Sequence, residues 1–166
     1  MGTVTPYTLR RLGPADRPEV TRLLVREWGA VEVVALALGG PVDASALPGW
    51  LAERDGEVIG FLTYLSAGTA AELVTINAFA AGGVGTGLLA ALVDDLRGAG
   101  VTRLRVTTTN DNTRALRFYQ RAGFRLAALR VDAVTEARRV KPEIPELGDD
   151  DIPIRDELEL AMEISQ

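Results

Sequence analysis

The chain has 166 residues, of which 47% are hydrophobic and 25% charged, and its formal net charge is −5. This length and composition predict one soluble globular domain with a buried core. The chain contains no cysteine and no histidine, which excludes a thiol nucleophile, a disulfide, a Cys/His zinc site and a Ser-His-Asp triad. The lack of a large basic block argues against a nucleic-acid partner, and no apolar run is as long as a membrane span. We therefore expect a cytoplasmic protein without a metal site.

Hydrophobic periodicity divides the chain into strands and helices. Pro14 opens the first helix, and Asp55-Gly56 favours a tight turn between two strands. Residues 31–38 fit a strand, a short helix or a lid. In chain order, the other predicted elements are strand 7–12, helix 14–28, strands 50–54, 58–65 and 72–79, helix 84–96, strand 104–109, helix 112–122 and strands 124–131 and 155–164.

This order places antiparallel strands before a strand-helix-strand unit. It predicts an α/β fold with a mixed, mostly antiparallel central sheet and helices on both faces. The first helix has an apolar face formed by Val20, Leu23, Leu24 and Trp28. Residues 132–153 contain three prolines and are expected to be irregular, which makes this segment a candidate lid.

Four glycines lie within the six residues from Gly82 to Gly87, where an apolar strand turns into a helix. A helix N-terminus has unpaired N–H groups and a positive dipole end, and glycine allows the backbone to approach a ligand closely. This context predicts a diphosphate site. Two other interpretations stay open at this point: a tight turn without a ligand, and a dinucleotide loop, because residues 85–90 fit Gly-x-Gly-x-x-Ala and Asp111 follows the next strand.

A second motif lies on the helix that follows. Asn112 is a plausible N-cap, and Ala115 and Tyr119 are four residues apart and therefore share a helix face. The small Ala115 leaves space beside the phenol for a ligand arm. We expect Phe118 and Phe124 to be core residues and Gly123 to end the helix.

The two motifs together resemble the GNAT superfamily of acyl-CoA-dependent N-acyltransferases. Residues 80–85 match the later positions of its Gln/Arg-x-x-Gly-x-Gly/Ala pattern, although Ala80 stands where the family has Arg or Gln. Residues 112–124 match its Asn-x-x-Ala-x-x-x-Tyr-x-x-x-Gly-Phe pattern. The similarity covers residues 58–131 well and residues 132–153 hardly at all.

This resemblance implies that the protein transfers acetyl from acetyl-CoA to an amine by direct attack. Tyr119 would protonate the departing thiolate, and Glu72 is a candidate base that equally fits a solvated acid at a strand end. A regular strand would place Thr75 and Asn77 on the opposite face from Glu72. The resemblance further implies that the backbone at 75–79 pairs with the pantetheine amides. The implied cofactor-binding residues are Ile76, Ala78, Gly82, Gly83, Val84, Gly85, Thr86, Gly87, Asn112 and Ala115.

Several features are open. A non-catalytic acyl-CoA-binding module and a nucleotide-binding domain are alternative functions, and a homodimer is possible. The amine acceptor is unknown, and in this superfamily residues 31–48 and 131–153 would shape its site. Arg138, Arg139 and Lys141 are candidates to meet CoA phosphates or an acidic acceptor, whereas Asp149–Asp151 fit a solvated loop.

Overall fold

A computed structural model describes residues 6–35 and 39–166. The described chain divides into two compact units. The first holds the residues up to Leu104 together with Ile164–Gln166, and the second is Arg105–Glu163. No helix within the described ranges is long and apolar enough to cross a membrane.

The first unit is built on antiparallel strands in the order β1-β4-β5-β6. A separate hairpin of β2 and β3 answers the open question at 31–38, of which residues 36–38 lie outside the described part. Asp55 and Gly56 both have positive φ, 52° and 79°, so the predicted tight turn is confirmed. The elements are β1 Thr8–Arg11, α1 Arg17–Trp28, β2 Glu32–Ala35, β3 Gly40–Asp43, β4 Gly49–Arg54, β5 Glu57–Ala67, β6 Ala70–Ala78 and α2 Val84–Gly98.

Helix α1 covers one face of this sheet. Val20, Leu23 and Leu24 are buried and belong to one cluster with Leu51 of β4 and Phe61 of β5. The predicted apolar face is thus confirmed, with the exception of Trp28. Trp28 is 45% exposed, and its indole N–H donates to the Asn77 side chain at 2.7 Å. The last turn of α1 therefore presents an aromatic side chain to the end of β6 rather than to the core.

Helix α2 covers the opposite face. A Cβ built on Gly60 of β5 would lie 2.8 Å from Val84 and 3.1 Å from Leu88, so this glycine allows the helix to lie directly on the strand. Leu92 and Leu96 continue the buried stripe along α2. Helices thus lie on both faces of the sheet in this unit, as expected.

Strand β6 contains a β-bulge at Val74. Thr75 pairs with Thr63 of β5, but the next pair is Leu73 with Tyr64, so Val74 is the extra residue. Because residues directly opposite each other share a face, the bulge reverses the alternation of side chains along the strand. The expectation that Glu72 faces away from Thr75 and Asn77 is therefore wrong: all three lie on the face that α1 covers.

The second unit has the strand order β7-β9-β8, with β8 and β9 antiparallel. The segment 132–153 is not wholly irregular as expected, because it contains a helix. Asp132, Glu136 and two alanines supply the acidic start and the helix-forming residues from which this helix was predictable. The elements are β7 Arg103–Thr109, α3 Thr113–Arg121, β8 Arg125–Arg130, α4 Ala133–Val140 and β9 Glu157–Glu163.

Candidate active site

The glycine-rich turn at the start of α2 leaves backbone N–H donors without an acceptor in the helix. Gly82 and Gly83 have φ values of 101° and 76°, and Gly83 is the N-cap residue. The first intrahelical bond runs from Gly87 N–H to the Gly83 carbonyl at 2.9 Å. The N–H groups of the three residues between them therefore have no acceptor within the helix, and together with the helix dipole they form an anion-binding site.

Tyr7, the residue before β1, supports this turn. The Tyr7 hydroxyl donates to the Gly83 carbonyl at 3.2 Å. A Cβ on Gly87 would lie 2.3 Å from the Tyr7 hydroxyl oxygen. Gly87, expected to bind cofactor, thus has a packing reason to be glycine. Gly83 needs glycine for its backbone angle alone, because a Cβ there would meet nothing within 4 Å. The sequence gives no local signal for Tyr7, because it lies 76 residues from Gly83.

Arg54 places a guanidinium on the α2 side of the sheet. On β4, Trp50 donates to Asp95 near the end of α2, and Ala52 lies opposite Gly60, which contacts the first turns of that helix. Strand alternation puts Arg54 on the same face, one step further toward the start of α2. The Nε and Nη2 atoms of Arg54 are buried and have no hydrogen-bond partner among the described residues.

A polar strip lies on the α1 face of β5 and β6. Thr63 and Thr75 share a hydrogen bond of 2.6 Å between their hydroxyls, and Asn77 accepts from Trp28. Glu72 is only 3% exposed, so the interpretation as a solvated strand-end acid is wrong. The bulge thus gathers a buried carboxylate and several hydroxyl and amide groups on one side of the sheet.

Further along β6, Ile76 and Ala78 pair with Leu62 and Gly60 of β5. The pairing of this backbone with pantetheine amides stays a prediction.

Helix α3 holds the second group of predicted residues. The Asn112 side chain accepts from the Ala115 N–H at 3.1 Å, which confirms the N-cap. Gly123 follows the helix with φ of 104°, and the N–H of Phe124 donates to the Tyr119 carbonyl at 3.0 Å. These local bonds fix where Tyr119 lies on the last turn of α3.

Tyr119 is buried between two phenylalanines. Its ring makes edge contacts with Phe118 and Phe124, each with centroids 5.5 Å apart, and the predicted core role of Phe124 is confirmed by its 2% exposure. The phenol makes no hydrogen bond within the described ranges. Burial raises the pKa of Tyr119 to about 12, because the phenolate loses hydration. The hydroxyl therefore stays protonated at neutral pH and is available as a donor.

The polar run after β7 holds the C-terminal loop. Asp111, buried at 7% exposure, accepts from the Thr109 hydroxyl and from the Asp149 N–H at 3.2 Å. Asn110 accepts from two backbone N–H groups of the loop and donates to the Pro153 carbonyl. Asp111 is therefore engaged within the protein, which removes the support for a ribose contact in the dinucleotide interpretation.

The cations of the candidate lid are largely occupied. Arg138 donates to three backbone carbonyls, those of Ile144, Pro145 and Ile154, at 2.8–3.0 Å. Arg139 pairs with Glu136 at 3.0 Å. Arg138 therefore ties α4 to the segment after it, and a contact of this side chain with CoA phosphates would require breaking those bonds.

The structure thus collects the predicted residues in two groups. The glycine turn, Ile76, Ala78 and Glu72 belong to the first unit, and Asn112, Ala115 and Tyr119 belong to the second.

Comparisons with known proteins identify the class. The model of the acetyltransferase (GNAT) family matches residues 17–124, more than half of the chain. The chain is 37% identical over 147 residues to an uncharacterized protein of Bacillus subtilis, YxbD, covering 87% of this chain and 91% of that protein. The chain therefore belongs to the GNAT acetyltransferase family.

Solved structures agree on the fold. The IAA acetyltransferase from Bacillus cereus has a TM-score of 0.72 at 23% identity, with 95% of this chain and 99% of that chain covered. A GNAT acetyltransferase from Elizabethkingia anophelis, solved with acetyl-CoA bound, has a TM-score of 0.64 at 20% identity, covering 95% and 97%.

The predicted fold class is therefore confirmed, and so is the predicted activity of an acyl-CoA-dependent N-acetyltransferase with acetyl-CoA as co-substrate. This assignment replaces the dinucleotide-binding alternative.

Proposed function

We propose that the enzyme transfers the acetyl group of acetyl-CoA directly to the amine of a small molecule or protein within a ternary complex. In this reaction the amine nitrogen forms a bond to the acetyl carbon, the carbon–sulfur bond breaks, and the amine loses one proton while sulfur gains one. The chain lacks cysteine and histidine, so a thiol acyl-enzyme is excluded and acid–base catalysis must use Asp, Glu, Tyr, Lys or a chain terminus. The observation that carries this proposal is the turn at the start of α2, whose backbone N–H donors have no acceptor in the helix.

The diphosphate of CoA would bind this turn. The N–H groups of Val84, Gly85 and Thr86 supply hydrogen-bond donors without a charged side chain. Ala80 stands where the motif customarily has Arg or Gln, and we propose that Arg54 replaces that side chain. Two buried guanidinium nitrogens of Arg54 without an acceptor are unfavourable until an anion binds them. Occupation by a phosphate would satisfy the guanidinium and the helix together.

We propose that Tyr119 donates to the sulfur of CoA as the carbon–sulfur bond breaks. A phenol with a pKa of about 12 is a weaker acid than a thiol, whose ordinary pKa is about 8.5. Complete transfer of its proton to a free thiolate is therefore unfavourable by itself. The role that fits this pKa is a hydrogen bond that strengthens as negative charge develops on sulfur.

Glu72 is proposed as the group that accepts the proton of the amine, directly or through a water. Its carboxylate lies on the same face as Thr75 and Asn77 because of the bulge at Val74. Glu72 is the only acidic residue of β6, the strand that leads to the glycine turn. Its role and the cytoplasmic location stay predictions.

Two measurements test the proposal. Thermal unfolding with acetyl-CoA should show stabilisation that NAD does not produce, because only a ligand of the native state raises the midpoint. Release of CoA thiol is then followed with a panel of small amines and N-terminal peptides, without background from the protein because it has no cysteine. No stabilisation by acetyl-CoA would contradict the diphosphate site. Stabilisation without turnover on any amine would favour the non-catalytic acyl-CoA-binding module.

A further inference from the structure

Strand β8 is an exposed edge with a palindromic sequence. Residues 125–130 read Arg-Leu-Ala-Ala-Leu-Arg, which is the same in both directions. The strand is last in the order β7-β9-β8, so within the described residues one of its edges has no strand beside it. Its first five residues are exposed, including Leu126 at 58% and Leu129 at 57%, and Val131 immediately after it is 67% exposed.

A bulge in β8 places both leucines on one face. Leu126 lies opposite Leu160 of β9, but Ala128 lies opposite Glu159, so Ala127 is the extra residue. Leu129 in turn lies opposite Leu158, which shares a face with Leu160. In a regular strand, residues three apart would point to opposite faces. The bulge instead aligns Leu126 and Leu129 as a continuous apolar surface with β9.

The other face of β8 is charged and internally neutralised. Arg130 donates to Glu157 at 2.9 Å and to Glu159 at 3.0 Å. No charged residue lies between Arg125 and Arg130. Natural edge strands are usually protected by central charges, prolines or a covering segment, because an exposed apolar edge invites pairing with another strand. This edge has only the terminal arginines as protection.

We propose that β8 is a dimer interface in which a second copy of this chain pairs with it antiparallel about a two-fold axis. A two-fold interface joins the same surface on both subunits, so the strand must be complementary to itself when reversed. The palindrome meets this condition. Leu126 would lie opposite the partner's Leu129, and each leucine pair would bury apolar surface across the strands.

Leu126 can lie opposite the partner's Leu129 because both leucines are on the same face of β8. Antiparallel partners that lie directly opposite must point to the same side of the sheet, and the bulge at Ala127 gives Leu126 and Leu129 that property. Arg125 would lie opposite the partner's Arg130, whose charge Glu157 and Glu159 already offset. This inference rests on β8 alone and does not depend on the acetyl acceptor.

The first test is the mass of the full-length protein in solution, by light scattering after size-exclusion chromatography across a range of micromolar concentrations. We expect twice the 17.7 kDa of one chain for the unsubstituted protein, and the mass of one chain for Leu129→Glu. Leu147→Glu is the matched control, since this leucine is 55% exposed and lies outside β8. It should remain a dimer. A monomeric unsubstituted protein, or a Leu129→Glu variant that stays dimeric, overturns the proposal.

The second test uses the absence of cysteine. Ala128→Cys would place a single thiol next to the two-fold axis, at a distance that a disulfide can bridge. Mild oxidation should produce a covalent dimer of this variant. Ala99→Cys, an exposed position at the end of α2, is the control and should remain largely uncrosslinked. Equal crosslinking of the two variants would overturn the proposed register.

Discussion

The glycine turn and the tyrosine helix are both part of the proposed site, but they are built from different parts of the chain. The turn offers main-chain N–H groups, which any residue with the required backbone angles supplies. The helix offers one hydroxyl, held by ring contacts with Phe118 and Phe124. The turn therefore tolerates the loss of a side chain, such as the customary Arg or Gln at Ala80, while the helix depends on the identity of a single residue.

The largest effect is expected from Tyr119→Phe. This change removes the hydroxyl and keeps the ring contacts, so turnover of acetyl-CoA should fall by about 100-fold, in the range found when one hydrogen-bond donor to a developing negative charge is removed. The KM for acetyl-CoA should change by less than about twofold, because the phenol acts only as charge develops on sulfur. Tyr64→Phe serves as control in the same steady-state assay. Unchanged turnover in Tyr119→Phe would remove the proposed role.

An effect on stability follows from the same hydroxyl. Burial raises the pKa of Tyr119 to about 12, whereas the pKa of an unfolded tyrosine is about 10. The raised pKa therefore adds to the free energy of unfolding, fully below pH 10, and this contribution is lost as pH rises from 10 to 12. We expect a loss of about 3 kcal/mol over this interval, from two pKa units at about 1.4 kcal/mol each.

This expectation is checked by urea unfolding at several alkaline pH values. The free energy of unfolding should decline more steeply for the unsubstituted protein than for Tyr119→Phe. Parallel declines would show that the phenol is not shielded from water in solution.

Gly83→Val tests the backbone donors of the glycine turn. A Cβ here meets no atom within 4 Å, so the cost comes only from the φ of 76° and is about 1–2 kcal/mol. Relaxation of this strain would turn the N–H groups away from the ligand, and we expect the Kd for CoA, measured by calorimetry, to rise about tenfold.

Gly68→Val is the matched control for this strain. Gly68 also has a positive φ, 61°, and open space around its Cβ, but it lies in the turn between β5 and β6. The two variants should lose similar stability, and only Gly83→Val should lose affinity. Equal affinities would indicate that the turn does not hold the diphosphate.

The smallest effect is expected from Arg54→Gln, because it removes one of several donors. The Kd for CoA should rise about fivefold, corresponding to about 1 kcal/mol for one partly exposed charged contact. Arg22→Gln, which changes the net charge equally on the surface of α1, should leave the Kd unchanged. A similar rise in both variants would mean that overall charge, and not Arg54, attracts the anion. The double variant Ala80→Arg with Arg54→Gln should recover part of the affinity.

The features predicted from the sequence are those with local causes. The turn at Asp55-Gly56, the Asn112 cap and the glycine start of α2 each depend on residues within a few positions of one another. Helix α4 has a local signal in its own composition, but the prolines that follow it favour an irregular segment instead.

The remaining features depend on pairing between distant segments. The bulge at Val74 is defined only by the pairing of β6 with β5. The packing of Tyr7 on Gly87 joins residues that are far apart in the sequence. That two Arg54 nitrogens are buried without a hydrogen-bond partner depends on which groups the fold brings near them. No window of sequence contains both members of such a pair, so these contacts require the folded chain.

The bulge at Val74 has a consequence for how the family is compared and mutated. It divides β6 into two stretches of opposite parity, and deletion of Val74 would make the strand regular while every pair with β5, and therefore the face of Glu72, stayed the same. A gapless alignment of β6 with a relative whose strand is regular here would therefore slip by one residue and assign Glu72 to the wrong side of the sheet.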